Sequence, residues 1–306
     1  MKFLRCALGF GATVLWLQVA VAADVFRVAT YNLENYLLQP AGSRRAKSEE
    51  SRAAVHAIIK AINADVLALQ EVGGPEALQE LRRALKAEGL DYPFWELVVG
   101  YDTNINLAIL SRFPFTARRA HTNDSYLLAG RRFSVRRGFA EVAVKVNENY
   151  SFTLINAHLK SRVPVPEADH AEMRFEEARI LRRKVEAAMA SNPMTNLIVL
   201  GDLNDTKDSR PLRVLIGQGR SRLIDTRPAE SSPPGADGTT ATGQLGGVTW
   251  TYFYDREDSY QRVDYILLTP GMAREWVPHQ SYVLSVSNWI VASDHRPVVA
   301  AFIARD

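Results

Sequence analysis

The sequence predicts a layered α/β sandwich, in which helices cover the faces of β-sheets. Strand-like and helix-like segments alternate along the chain, several links between them have the length of hairpins, and no change of composition divides the chain. A chain of 306 residues with 47% hydrophobic and 23% charged residues has an ordinary globular composition and can bury a large core. We therefore expect one folded domain over residues 24–306.

The first 23 residues have the pattern of a secretory signal peptide. Lys2 and Arg5 form a short positive region, residues 7–19 are apolar, and Ala20–Val21–Ala22 is a small-residue cleavage pattern. An uncleaved membrane anchor is the alternative, although the apolar run is short for a full span. Cleavage would give a secreted or periplasmic protein without a transmembrane segment. It would also remove Cys6, the single cysteine of the sequence, and with it any disulfide or thiol nucleophile.

Eight segments have strand-like patterns and four have helix-like patterns. The strand-like segments are Val25–Tyr31, Val66–Leu69, Leu107–Leu110, Ala140–Val146, Phe152–Asn156, Leu197–Leu200, Val263–Leu268 and Val298–Ile303. The helix-like segments are Glu49–Ile62, Pro75–Glu88, Ala168–Ala190 and Pro211–Ile216. In the first helix, apolar residues recur from Val55 to Ile62 at the spacing of a stripe that should face a sheet. The segment Arg227–Val248 is rich in Pro, Gly, Ser and Thr and is predicted to be a long surface loop.

At six predicted strand ends, the chain carries an acidic, amide or imidazole side chain. The residues are Asn32, Glu71, Asn156 with His158, Asp202 with Asn204, Asp264, and Asp294 with His295. A single polar residue in such a place usually caps a helix or forms a turn. Six cases together predict a pocket at one sheet edge, where layered α/β proteins place their chemistry. Because strand residues alternate faces, Asp202 and Asn204 should point the same way, with Leu203 turned into the core.

The residue types in this predicted pocket favour a hard cation. Carboxylate and amide oxygens without sulfur, and too few clustered histidines for zinc, suit Mg²⁺, with Mn²⁺ or Ca²⁺ as alternatives. Mg²⁺ keeps several waters and usually takes one or two carboxylates alongside phosphate oxygens of the substrate. Glu71 with one or two further ligands would be enough to hold the metal ion. His158 and His295 would then be free for proton transfer or for stabilising charge on a phosphoryl group.

Seven short motifs, in this order along the chain, resemble signature motifs of the endonuclease/exonuclease/phosphatase superfamily: TYNLEN, LQEV, NLAILSRFP, NAHL, GDLND, RVDYILL and SDHRPV. The resemblance extends from Val25 to the C-terminus. The superfamily includes deoxyribonuclease I, apurinic endonucleases, neutral sphingomyelinases and inositol-polyphosphate 5-phosphatases. The resemblance implies a four-layer αββα sandwich of two packed mixed β-sheets flanked by helices, and metal-dependent hydrolysis of phosphoric esters.

The resemblance also implies a metal site. Glu71 would be the principal ligand, and Asn32 would lie beside it to bind or steer metal and phosphate. Asp294 would add a second or water-mediated contact. Helix capping is the alternative role for Glu71.

The same resemblance implies roles in catalysis. Asp202 would orient or deprotonate the attacking water, and Asn204 would hold the phosphate or that water. His295 would lie against the scissile phosphate, with its tautomer set by Asp264 and its pKa raised by that carboxylate. The alternative for Asp264 is a salt bridge to Arg262.

His158 bears on the class of substrate. In the family, deoxyribonuclease I-type nucleases, sphingomyelinases and many phosphatases have histidine in the N-x-H motif, whereas apurinic endonucleases typically have tyrosine. The motif NAHL therefore disfavours abasic-site repair, and His158 is expected to be a general acid or a contact to the transition state. The leading hypothesis is an exported Mg²⁺-dependent nuclease that cuts DNA or RNA with little sequence preference.

Two other classes of function stay open. A phospholipid or phosphomonoester hydrolase would use the same chemistry, and Trp276, Trp289 or the run Thr249–Tyr254 could supply an exposed hairpin for membranes. A degenerate family member that only binds a partner would be expected to lack some of the metal-binding or histidine residues. In this sequence all of the predicted metal-binding and histidine residues are present.

Charge says less about the substrate. The formal net charge of +3 falls to +1 without the signal peptide, which leaves 35 basic against 34 acidic residues. Six arginines lie between Arg118 and Arg137, with Tyr126 and Phe133 among them. They predict either contact with backbone phosphates, with Arg137 as the candidate substrate-binding residue, or a solvated loop. The remaining histidines are expected at the surface: His56, His121, His170 and His279.

Overall fold

The computed structural model describes residues 24–231 and 249–305. The predicted signal peptide and most of the predicted loop Arg227–Val248 lie outside these residues, so cleavage and export stay predictions. Within the described residues, none of the helices is long and apolar enough to span a membrane.

Every predicted strand and helix forms, and further strands join them. The strands are β1 (Val25–Tyr36), β2 (Val66–Val72), β3 (Phe94–Val98), β4 (Asn106–Ser111), β5 (Phe115–His121), β6 (Ser125–Leu128), β7 (Arg131–Ser134), β8 (Phe139–Lys145), β9 (Ser151–His158), β10 (Leu197–Asp202), β11 (Ile224–Asp225), β12 (Ala229–Ser231), β13 (Tyr252–Tyr254), β14 (Ser259–Gln261), β15 (Asp264–Leu268), β16 (Trp276–Leu284) and β17 (Val298–Ile303). The helices are α1 (Glu49–Ile62), α2 (Pro75–Ala87), α3 (His170–Ala190), α4 (Arg210–Ile216) and α5 (Trp289–Ala292).

Two mixed sheets form the centre of the molecule. The first sheet has the strand order β12-β16-β17-β1-β2-β4-β3, and the second has the order β11-β15-β10-β9-β8-β5. Within the first sheet β1 is parallel to β2 and antiparallel to β17. Within the second sheet β10 is parallel to β9 and antiparallel to β15. Each sheet therefore has a central pair of parallel strands whose carboxyl ends lie at the same edge.

Three apolar layers hold the sheets and helices together. Val55 of α1 packs with Leu67 of β2 on the outer face of the first sheet. Val28 and Leu200 belong to the layer between the two sheets, and Leu181 of α3 belongs to the layer outside the second sheet. The order is thus helices, sheet, sheet, helices, which confirms the predicted four-layer αββα sandwich.

Local sequence explains where the main helices begin and end. Ser48 caps α1 by accepting a hydrogen bond from the amide of Ser51, and Asn63 ends it in the left-handed conformation. Asp169 caps α3 by accepting from the amides of Ala171 and Glu172. The apolar stripe of α1 is buried against the first sheet, as its spacing predicts.

Polar side chains tie the two sheets together. Asn156 of β9 donates from its amide to the carbonyls of Leu69 (2.9 Å) and Ala108 (3.0 Å) in the first sheet. Its amide oxygen accepts from Gln70 of β2 at 2.7 Å. Because Glu71 follows Gln70 directly, this fully buried link sets the distance between the two sheet edges that carry the predicted pocket.

Two sequence-based expectations are corrected by the fold. The arginine-rich segment is not one solvated loop: it runs through β5 and the hairpin β6–β7, where Arg118 pairs with Glu96 at 3.3 Å and Arg119 pairs with Glu141. His56 is not a surface histidine. It is buried on the inner side of α1 and lies 2.7 Å from the Tyr36 hydroxyl. Both errors arose because the partners are distant in the sequence.

Candidate active site

Strand register brings three predicted residues of the second sheet side by side. Asp202 at the end of β10 lies opposite His158 at the end of β9, and opposite Asp264 at the start of β15 on its other side. In the first sheet, Asn32 of β1 lies opposite Gln70 of β2, next to Glu71. The face-to-face packing of the sheets then brings the two groups together.

Gly201 allows β10 and β9 to approach closely at this edge. Its φ of +133° lies in the region that favours glycine. A Cβ placed on Gly201 would meet the Ala157 carbonyl oxygen at 1.9 Å. This glycine therefore sets the close spacing of His158 and Asp202.

The carboxylate of Asp202 is contacted by several other residues of the site. It accepts from the side-chain amide of Asn32 (3.0 Å) and from the backbone and side-chain amides of Asn204 (2.9 and 3.2 Å). His158 Nε2 lies 3.3 Å from the same carboxylate. Burial raises the pKa of Asp202 to about 7, although the nearby His295 acts to lower it. A carboxyl group with a pKa near neutrality is suited to proton transfer.

Asn204 reaches Asp202 by a different route from the one expected. The strand ends at Asp202, so alternation of faces does not extend to residue 204. Asn204 instead adopts a left-handed conformation with φ of +54°, which returns its side chain to the Asp202 carboxylate. Leu203 is fully buried, as expected.

His295 and Asp264 form a buried pair. His295 Nδ1 lies 2.8 Å from Asp264 Oδ2, while Arg262 pairs with Asp225 instead of Asp264. Burial lowers the pKa of His295, but Asp264 and the other two nearby aspartates outweigh it and hold that pKa well above its ordinary value. The charged imidazolium form of His295 is therefore favoured, and its Nε2 lies 3.5 Å from Asn32 Nδ2 and 3.8 Å from a carboxylate oxygen of both Asp202 and Asp294.

His158 is electrostatically the opposite of His295. Burial, together with the charge of Arg137, holds the pKa of His158 well below its ordinary value. Its Nδ1 has no hydrogen-bond partner among the described residues. The site thus contains one charged and one neutral imidazole.

Three carboxylates line the side of the cleft formed by the first sheet. We call Glu34, Glu71 and Asp294 the acidic cluster. Glu71 accepts from the amide of Asn35 at 2.9 Å, and Glu34 accepts from the amide of Asp294 at 3.1 Å. Burial raises the pKa of Asp294 to about 7, with Glu34 and Glu71 adding to the shift while His295 opposes it. Glu34 was not predicted, although it lies in the TYNLEN motif two residues after Asn32.

The acidic cluster has the ligand type of a site for a hard divalent cation, but its three carboxylates are not within 4.8 Å of one another as a group. It supplies only oxygen ligands, and the buried Oδ1 of Asn35 beside it has no hydrogen-bond partner within the described residues. Backbone strain is concentrated here: Glu34, Asn35 and Glu71 have φ of +48°, +56° and +61°.

A second set of potential metal ligands lies in the second sheet and at His295. Among the described residues, Asp202, Asp264 and His295 form the one group of three acidic or imidazole side chains that place a potential ligand atom each within 4.8 Å of one another. Hydrogen bonds between His295 and Asp264, and from Asn32 and Asn204 to Asp202, already engage these groups. The amide oxygen of Asn32, a predicted ligand, accepts from the backbone of Glu34 at 3.0 Å. The acidic cluster differs from this group in that two of its carboxylates accept hydrogen bonds from backbone amides rather than from a histidine.

A cleft of about 660 Å³ lies above these residues. Seven of the nine predicted site residues line it, and the other two, Asn32 and Asp264, lie behind it in contact with Asp202 and His295. Arg137 is a buried lining residue that donates to the Leu159 carbonyl at 3.4 Å. The lining also includes arginines that the sequence did not single out: Arg44, Arg162 and Arg256.

The hairpin β13–β14 closes one side of the cleft. Tyr252 packs on His295 with ring centroids 4.7 Å apart, and the amide of Phe253 donates to the Asp294 carbonyl at 3.0 Å. Behind the hairpin, Trp250 packs against Trp289 at 4.9 Å. The hairpin therefore fixes the backbone on which Asp294 and His295 stand.

A model of the Endonuclease/Exonuclease/phosphatase family matches residues 29–295. The chain belongs to this family. Its members are metal-dependent phosphoric ester hydrolases, which agrees with an acidic cluster beside a charged histidine. No curated protein matches the chain.

Solved structures confirm the deoxyribonuclease I-like fold expected of the family. Truncated TDP2 from Caenorhabditis elegans is 20% identical, with a TM-score of 0.57 over 92% of this chain and 98% of that one. Sphingomyelinase C from Streptomyces griseocarneus is 18% identical, with a TM-score of 0.58 over 92% and 100%. The human Nocturnin catalytic domain is 17% identical, with a TM-score of 0.61 over 92% and 98%. At these identities the likeness establishes fold, and the substrate has to be argued from the site.

Proposed function

We propose that this phosphoric ester hydrolase is a Mg²⁺-dependent nuclease, which cuts DNA or RNA phosphodiesters with little sequence preference. The observation that carries the proposal is the lining of the cleft. Four arginines line it together with the reacting groups: Arg44, Arg137, Arg162 and Arg256. Arginines around a hydrolytic centre suit a polyanionic strand, whose phosphates extend beyond the bond that is cut.

The acidic cluster of Glu34, Glu71 and Asp294 would hold the metal. A divalent ion there would offset charge on the nonbridging phosphate oxygens and lower the pKa of water. Mn²⁺ or Ca²⁺ would fit the same oxygen ligands.

The protein's own groups divide the remaining work. Asp202 accepts a proton from the attacking water as the water oxygen bonds to phosphorus and the bond to the leaving oxygen breaks, and the leaving oxygen takes a proton from solvent water. Asn32 and Asn204 hold that carboxylate in place. His295 Nε2 donates a hydrogen bond to the phosphate, and Asp264 keeps the imidazole charged. His158, held neutral, is suited to a hydrogen bond in the transition state rather than to proton donation.

A phospholipid hydrolase is the second candidate, and one observation favours it. Tyr260 and Ile290 are 52% and 48% exposed, beside the packed pair Trp250 and Trp289. These are single side chains, and the predicted membrane residue Trp276 is instead hydrogen bonded to Ser281 at 2.8 Å. Isolated exposed side chains do not form an apolar surface for a membrane, whereas four arginines line the cleft. The site therefore favours nucleic acid over phospholipid as the substrate.

Cleavage assays test the proposal. Purified protein with Mg²⁺ is expected to cut plasmid DNA or single-stranded RNA, EDTA should abolish cutting, and rising salt should weaken it. Glu71→Gln and His295→Gln should each lose activity, while the control Glu148→Gln, at an exposed loop position, should keep it. Absence of cutting of both nucleic acids by the metal-loaded protein would contradict the nuclease. Hydrolysis of sphingomyelin vesicles with co-sedimentation would establish the second candidate instead.

A further inference from the structure

Arg162 lines the cleft, and its guanidinium is already engaged by other residues of the protein. Nε donates to the carbonyl of Asn204 at 3.1 Å, and one terminal nitrogen donates to the side-chain oxygen of Gln261. The other terminal nitrogen lies 3.6 Å from a carboxylate oxygen of Asp205. Each nitrogen of the guanidinium therefore has a partner within the protein.

The partners of this guanidinium belong to two separate segments of the cleft wall. Asn204 and Asp205 follow β10, whereas Gln261 ends β14. In the hairpin β13–β14, Gln261 is paired with Tyr252, the residue whose ring packs on His295. The arginine itself comes from the link between β9 and α3, so one side chain joins three segments around the reacting groups.

Asp205 is held in place from the side of α3. Arg174 Nε donates to the second carboxylate oxygen of Asp205 at 2.8 Å, and a terminal nitrogen of Arg174 donates to the Lys160 carbonyl at 3.1 Å. The Arg174 side chain is only 4% exposed. The Tyr265 hydroxyl donates to the Asp205 carbonyl at 3.0 Å. Asp205 therefore offers Arg162 a fixed partner.

The backbone of Asn204 needs such support. Its φ of +54° is less favourable for asparagine than for glycine, and a conformation of this kind persists where surrounding contacts hold it. The side-chain amide of Asn204 donates to the Leu159 carbonyl at 3.0 Å and to Asp202 at 3.2 Å. Its own carbonyl accepts from Arg162. Without that contact, the peptide could turn and release the amides that hold Asp202.

We propose that Arg162 is a positioning residue, which acts on the reaction through Asn204 rather than by binding a substrate phosphate. The inference rests on the proposed function in taking Asp202 as the group that accepts the proton. A phosphate-binding arginine would act on KM and on the salt dependence of activity. A positioning arginine acts on kcat, because a misplaced Asp202 slows the chemical step without weakening binding. The cleft arginines left for substrate phosphates are Arg44, Arg137 and Arg256.

Two substitutions of Arg162 separate these roles. Arg162→Lys keeps the charge but replaces the planar fork with one ammonium group, which cannot serve three acceptors in two segments. In Arg162→Lys and Arg162→Met, kcat on an oligonucleotide with Mg²⁺ should fall by roughly 10–100-fold, with KM changed by less than about twofold. The salt dependence of kcat/KM in Arg162→Lys should match that of the unsubstituted protein. Arg213→Met, at an exposed position of α4 outside the cleft lining, is the control.

Amide hydrogen exchange, measured by nuclear magnetic resonance without substrate, tests the same point independently of turnover. The backbone amide of Asn204 donates to Asp202 at 2.9 Å. Its exchange should become roughly fivefold faster or more in both Arg162 variants and stay unchanged in Arg213→Met. Circular dichroism checks that each variant is folded, and Arg162→Lys decides the test if Arg162→Met does not fold.

Two results would overturn the proposal. One is unchanged exchange at Asn204 in the folded Arg162 variants. The other is normal kcat in Arg162→Lys together with a raised KM in Arg162→Met, which would make Arg162 a phosphate contact. Failure of the unsubstituted protein to cut nucleic acid would contradict the nuclease and leave the exchange result intact, so the two proposals fail separately.

Discussion

At the scale of single residues, identical side chains acquire different chemistry from their neighbours. Asp202 and Asp264 lie opposite each other on adjacent strands, but Asp202 accepts hydrogen bonds from amide groups, whereas Asp264 lies 2.8 Å from the imidazole of His295. His158 and His295 are likewise both buried, and only His295 has a carboxylate within 3 Å of a ring nitrogen. Residue type alone would not separate these roles.

The pH dependence of activity should reflect these environments. Asp202 must be ionised to accept a proton, and burial raises its pKa to about 7, so activity should rise as the pH increases through about 7. His295 must be charged, and its pKa lies well above the ordinary value, so activity should fall only at alkaline pH. The measurement is kcat/KM between about pH 5 and about pH 10 at saturating Mg²⁺. A profile that is flat through neutrality would contradict the assignment of Asp202.

Asp264→Asn tests the pair directly. The substitution keeps the shape of the side chain and removes the charge that raises the pKa of His295. We expect kcat to fall by roughly 10²–10⁴-fold and the alkaline limb of the profile to move to lower pH. Asp208→Asn, at an exposed position, is the control. A variant with full activity and an unmoved alkaline limb would rule out this role for Asp264.

At the scale of elements, the site depends on the register of strands. His158, Asp202 and Asp264 align because β9, β10 and β15 pair residue by residue up to the edge of the second sheet. Apolar runs predicted these strands. They did not reveal β5, whose exposed arginines break the apolar pattern, or β16, where pairing shifts between Val277 and Tyr282.

Gly201→Ala should separate β10 from β9. The added Cβ would meet the Ala157 carbonyl oxygen at 1.9 Å, and φ of +133° is unfavourable for alanine. We expect a loss of about 2–4 kcal/mol in the free energy of unfolding, and reduced activity in the folded fraction. Gly219→Ala is the matched control, because Gly219 also has positive φ (+64°) but a Cβ there has no neighbour within 4 Å. Equal melting temperatures for the two variants would contradict the close-approach argument.

At the scale of the whole molecule, the site lies between two sheets and is held by both. Asn32 donates to Asp202 across 170 positions of sequence, and Gln70 bonds to Asn156 across 86. Glu34, Glu71 and Asp294 come from three segments of the first sheet's edge, so their mutual repulsion acts on the packing of that edge.

Metal removal should therefore destabilise the fold measurably. A divalent ion that binds the native state at 100 times its Kd adds about 2.7 kcal/mol to the free energy of unfolding. We expect EDTA to lower the melting temperature and added Mg²⁺ or Mn²⁺ to restore it, followed by scanning calorimetry. Glu71→Gln should show a much smaller response to metal. A melting temperature that is independent of metal in the unsubstituted protein would contradict binding at the acidic cluster.

The sequence by itself determined the fold class and the family, because periodicity and ordered motifs are properties of the chain read in one dimension. It also identified nine residues that the fold brings to one cleft or directly behind it. The tertiary structure alone decided the partners. Arg262 pairs with Asp225 rather than with Asp264, and His56 is buried against Tyr36, because each contact forms between segments that only the fold brings together.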